Sequence, residues 1–242
     1  MHKGVFKSDN AKDKHISILI LGESHHWSSE DWIVAEGETE LQAEERRKEK
    51  AANYKTKTVV KNYLRNYSTS IDRDKAYRFF DKIVQAFGFE PESQREYFWD
   101  HVWFGNYIDE LCGIGDSKAT ELLSCPSKCQ EYNDQLFKFI NNNEIKVVFC
   151  FSRRVYNHLP GLVKGSGEHE ERINDKIYLL TKDGKHKTDY ISYCKYLPDL
   201  SHKHTTEKLK ESLEVYGMLH PSGQYGFDPQ NYAPDLKKRI EF

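Results

Sequence analysis

The chain has 242 residues, with 36 Lys and Arg against 38 Asp and Glu and a formal net charge of −2. That balance excludes a globally basic nucleic-acid footprint, although a local basic face remains compatible with it. Five cysteines in no regular framework suit a reducing compartment, and neither an N-terminal signal-type apolar region nor a run of membrane-spanning length is present, so a soluble cytoplasmic protein without a membrane partner is expected.

Residues 1–14 are polar and read as a loose lead-in. The run Ile16-Ser17-Ile18-Leu19-Ile20-Leu21 follows and ends abruptly in Gly22-Glu23-Ser24-His25-His26. A continuous apolar run of this kind predicts a strand buried on both faces of a parallel sheet. Residues 38–67 are dense in mixed charge, with Val59, Val60, Tyr63 and Leu64 at helical spacing, which predicts one or two amphipathic helices. Ser70 is a candidate N-cap for a helix whose stripe is Ala76, Phe80, Ile83, Val84 and Phe87, with Gly88 as its stop.

The aromatic segment from Pro91 to Ile108 predicts a helix running into a strand that ends near Asn106. A helix around Leu136, Phe139 and Ile140 leads into a second buried strand, Ile145 to Phe151, which ends in Ser152-Arg153-Arg154. Two further strands, Ile177–Leu180 and Tyr190–Cys194, flank the turn residues 182–185. A helix over 205–213 is expected before Tyr216-Gly217-Met218-Leu219 and His220-Pro221-Ser222-Gly223. Helices alternating with buried strands predict one α/β domain, a three-layer αβα sandwich on a mostly parallel sheet of about four strands, with a helical insertion over 27–70.

The chemistry gathers at predicted strand ends, where ligands of open α/β sheets bind. Glu23 can orient a water, act as a base or stabilise a developing cation, or simply favour the start of a helix. His25, His26 and His220 are imidazoles available to a metal, yet adjacent histidines lack the spacing that puts two on one helical face. Asn106 carries donor and acceptor on one amide, as reading a base edge requires. Arg153 and Arg154 suit phosphate, and the His220–Gly223 turn can grip one through Ser222 and nearby amides. Trp27 and Trp32, in a polar loop, are candidate stacking platforms.

The order of these motifs resembles the uracil-DNA glycosylase superfamily: strand-Gly-Glu, an aromatic strand ending in Asn, a buried strand, then His-Pro-Ser. Gly22-Glu23-Ser24-His25-His26 is similar to the superfamily version carrying Gly-Glu-Ala-Pro-Gly. The resemblance covers about residues 15–227 and implies a single domain over 1–242. It makes Glu23 and His220 the catalytic pair, with Ser24, His25, His26 and Asn106 at the base. Ser222, Gly223, Gln224, Tyr225, Arg153 and Arg154 then contact DNA, Gln224 or Tyr225 filling the vacated stack.

The implied reaction is hydrolysis of the glycosidic bond of a flipped uracil or other modified base, by a monomer, on duplex or single-stranded DNA. No cofactor and no metal are expected. His25 stands where the related motif has proline, His26 where some members screen the base by size, and the iron–sulfur cysteine spacing is absent. Two other readings stay open: a metal-dependent hydrolase using Glu23, His25, His26 and His220, and a non-catalytic nucleotide- or protein-binding module.

Overall fold

A computed structural model describes residues 5–11, 14–26, 32–65, 75–112, 117–161, 176–180, 186–222 and 226–240. Strand β1 (Ile18–Gly22) has no solvent face, every residue being buried. Ile18 and Ile20 enter one core cluster and Leu19 and Leu21 the other, because successive side chains leave a strand on opposite faces. A two-residue strand β2 (His25–His26) follows, then helices α1 (Glu40–Lys50), α2 (Thr56–Arg65), α3 (Lys75–Ala86) and α4 (Pro91–Trp99). Next come β3 (Trp103–Asn106), the short β4 (Leu111–Cys112), α5 (Ser117–Ser124) and α6 (Pro126–Asn143). The chain ends with β5 (Val147–Cys150), α7 (Arg153–Tyr156), β6 (Lys176–Leu180), β7 (His186–Tyr196), β8 (Leu213–Gly217) and α8 (Pro229–Leu236).

The main sheet runs β3-β1-β5-β8-β7-β6. Its first four strands are mutually parallel, and β7 and β6 extend it as antiparallel neighbours. Helices α5 and α6 cover the Leu19 and Leu21 face through Leu122, Leu123, Leu136, Phe137 and Ile140. Helices α2, α3, α4 and α8 cover the Ile18 and Ile20 face through Val60, Tyr63, Ile83, Val84, Trp99 and Tyr232. The result is the expected three-layer αβα sandwich. Among the described residues no helix is long and apolar enough to cross a membrane.

The charged segment divides in two. A Thr39–Gln42 capping box starts α1, which buries only Ala43. Helix α2 instead belongs to the core: Tyr63 packs edge-on to Trp99 and donates its hydroxyl to Asp81 Oδ1 at 2.9 Å. Ser70 lies outside the described residues.

Two expectations are corrected. The lead-in is not loose over its later part, because Phe6 is buried and exchanges backbone hydrogen bonds with Phe104, at 2.7 and 3.0 Å. That bridge pairs the otherwise open edge of β3. The helix over 205–213 does not form, and β8 already begins at Leu213. Side chains of α6 take the polar groups there: Asp134 accepts from Thr205 and Thr206, and Asn141 bonds Lys208 and Lys210 backbone. Those bonds satisfy the segment in an irregular path and let Leu209 reach the core.

Replacing Tyr63 by alanine should cost about 3 kcal/mol or more, as deleting a buried aromatic does. Urea unfolding measures it, and a loss below about 1 kcal/mol would show α2 to be peripheral.

Candidate functional site

Strand register sets the site. Gly22 is level with Asn106 of β3, Leu21 with Cys150 of β5, and Cys150 with Gly217 of β8. Glu23, Asn106, Ser152 and His220 therefore all lie at the carboxyl edge of the four parallel strands. After β1 the chain covers one face with α2–α4, whereas after β5 it enters α7, whose Val155 and Tyr156 bury in the opposite cluster. The β1/β5 junction is thus the topological switch point, where an open sheet leaves a crevice for a ligand.

Glu23 is buried, at 8% exposure. Its Oε2 accepts from Ser152 Oγ at 2.7 Å and from Arg154 Nε at 3.2 Å, while Oε1 accepts from Arg154 Nη2. Arg154 also donates to Thr120 Oγ1 at 2.8 Å. Burial pushes the Glu23 carboxyl up, but the hydrogen bonds of Arg154 and Ser152, with the charges of Arg154 and His220, outweigh it. The net effect holds Glu23 below the ordinary glutamate range, as an anion at neutral pH. The neighbouring thiols are no nucleophiles, since burial raises Cys112 and pushes Cys150 up to about 12.

Asn106 is buried too, and its Nδ2 has no hydrogen-bond partner among the described residues. A buried amide left unpaired is costly, which makes it a prime candidate for a bound ligand or water. It lies so near β1 that a Cβ on Gly22 would stand 2.4 Å from Asn106 Oδ1, so any other residue there would push the amide aside. His220 packs its ring on Phe79 of α3, centroids 5.2 Å apart, and Lys82 of α3 donates to the Pro221 carbonyl at 2.8 Å. The Ser222 amide donates to His220 Nδ1 at 3.2 Å. A backbone N–H can only donate, so Nδ1 is the acceptor in this contact and Nε2 is the ring nitrogen left to carry a proton.

No family model matches the chain, and no curated protein matches it.

The remaining sequence-chosen residues are spread around this centre. Ser24 hydrogen-bonds Cys112. The backbone of His25 and His26 pairs in parallel with Leu111 and Cys112; their side chains lie outside the description. Ser222 is exposed, while Gly223, Gln224, Tyr225 and Trp27 are not among the described residues. Arg154, expected at phosphate, holds Glu23 instead, and the half-buried Arg153 takes no part in those bonds. Trp32 lies under the Arg47 guanidinium, 4.8 Å from its ring centroid. Among the described residues no three His, Cys, Asp or Glu side chains gather as a metal site.

Sequence reasoning did not assign Ser152, Thr120, Phe79 or Lys82 to the site. For Ser152 a signal existed: a serine directly after a buried strand is a natural helix N-cap, and Ser152 Oγ accepts from Val155 N. Helix α7 is seated by Tyr156, whose ring lies 2.4 Å from where a Gly217 Cβ would stand.

Because the folded state depresses the Glu23 pKa, ionised Glu23 stabilises the fold above its unfolded value of about 4.3. That contribution disappears as pH falls through the lower folded value. Wild type should therefore lose stability relative to Glu23→Gln below about pH 4.3 in urea unfolding. A gap independent of pH would mean that the site does not prefer the anion.

Proposed function

We propose that this protein is a monofunctional DNA glycosylase, hydrolysing the N-glycosidic bond of a flipped uracil or other modified base to leave an abasic site. The observation that carries the reading is the buried Asn106 amide, whose Nδ2 has no hydrogen-bond partner among the described residues, at the same sheet edge as the Glu23 carboxylate clamped by Ser152 and Arg154. The motif order adds to it.

Each group then has a task. A base swung out of the stack presents its edge to Asn106, whose Nδ2 has no partner among the described residues. As the C1′–N bond breaks, its electron pair moves to the base and positive charge grows on the sugar. His220 Nε2–H donates to the base oxygen that becomes negative. A carboxylate held below the usual range is a poor proton store but a good fixed charge, so Glu23 faces the cation and orients the water that adds to C1′. Water supplies the hydroxyl of the abasic sugar, and its proton leaves to solvent or the departing base.

One observation favours a second reading, a non-catalytic nucleotide-binding module: Arg154 already neutralises Glu23. Incubation with DNAs carrying a panel of base modifications, followed by alkaline cleavage at abasic sites, separates the two. Excision is expected on at least one substrate, with Glu23→Gln and His220→Ala slowing it on the order of 100- to 1000-fold while DNA binding persists. Binding without turnover across the panel would establish the module. Activity abolished by a chelator and restored by zinc would instead assign the chemistry to a metal.

A further inference from the structure

We propose that Arg154 and Ser152 are positioning residues for Glu23, leaving one acceptor direction on its Oε1 for a single nucleophilic water. The inference rests on the glycosylase reading and adds to it the groups that aim the carboxylate. An ionised carboxylate offers about four acceptor directions. Three are taken: Oε2 by Ser152 Oγ and Arg154 Nε, and Oε1 by Arg154 Nη2. Among the described residues nothing takes the fourth, which is on Oε1.

Every member of the clamp is itself fixed. Ser152 Oγ accepts from Val155 N at 3.2 Å, so its single proton is directed at Glu23. The Arg154 guanidinium is planar and is anchored at Nη1 by Thr120 of α5. On the other side the Glu23 carbonyl accepts from Ile108 N at 2.9 Å, so backbone and carboxylate are held from both neighbouring strands. A water bound to the free direction has one position relative to the sheet edge, and a nucleophile held in one place needs no further ordering as the bond breaks. An ion pair serving stability alone would not require this, since buried pairs add little to stability over an apolar pair.

The groups facing Glu23 are Arg154 and Ser152 after β5, His220 after β8, Cys112 of β4 and Cys150 of β5, with His25 and His26 following on its own chain. Single-turnover excision against pH, on a substrate from the panel, tests the assignment in wild type, Arg154→Ala, Arg154→Lys and Ser152→Ala. Circular dichroism and thermal melting check that each variant folds.

Arg154→Ala should move the acid limb to higher pH, because burial remains while the opposing partner is lost. Arg154→Lys should return the limb but leave the plateau rate on the order of 10-fold low with little change in KM, since lysine restores charge and not the fork. An unmoved limb with a plateau within about 2-fold of wild type in a folded Arg154→Ala would overturn the proposal. Carbon-13 NMR titration of the Glu23 carboxyl gives a second readout that needs no turnover. Its midpoint should rise in Arg154→Ala and in Ser152→Ala, and an unchanged midpoint overturns the clamp. A wild type that excises nothing overturns the glycosylase reading, and the role of the water with it. The titration then still decides whether Arg154 and Ser152 hold the carboxylate.

Discussion

The parallel strands at the centre of this protein have no face left for water, and the rest of the structure follows from that. Ile18 and Ile20 bury under one helical layer and Leu19 and Leu21 under the other, as do Phe149 and Val148 on β5. Polar side chains have no place along such strands, since an unpaired group there would carry its full desolvation cost. They collect at the strand ends, so Glu23, Asn106, Ser152 and His220 share the carboxyl edge of the sheet.

At that edge close packing and electrostatics support each other. Gly22 lets Asn106 lie against β1, and Gly217 lets Tyr156 lie against β8, which seats the short helix bearing Arg154. Arg154 and Ser152 then meet a carboxylate shielded from water, where charge–charge interaction is stronger than at a surface. From α3, Phe79 and Lys82 do for the His220 turn what α7 does for Glu23. Both helical layers therefore reach the same edge with side chains that hold Glu23 and the His220 turn.

Much of the fold was legible in the chain. Strands β1 and β5 show as unbroken apolar runs, and α3 and α6 as apolar stripes at helical spacing, because burial on two faces or on one leaves those periodicities. The sequence around Leu209 misled, since its apolar spacing serves an irregular segment whose polar groups are satisfied by Asp134 and Asn141 of α6. The lead-in misled in the opposite sense: Phe6 is one aromatic in a polar stretch, and its burial depends on the open edge of β3. In the site, Glu23, Asn106 and His220 were legible as polar residues at the ends of apolar runs. Ser152 showed only as an N-cap after a buried strand, and Thr120, Phe79 and Lys82 showed nothing, for their roles are defined by what they touch.

By itself the sequence determined that a buried strand ends in a glycine and a carboxylate, and that others end in an asparagine and a histidine. Those are local facts, written by the alternation of apolar and polar residues. Only the tertiary structure decided what the carboxylate would face. Arg154 lies 131 residues from Glu23 along the chain, and no spacing rule joins them. They meet because β5 returns beside β1 and delivers α7 to the switch point. The same return turns an ordinary glutamate after Gly22 into an anion held by Ser152 and Arg154, at the sheet edge it shares with Asn106.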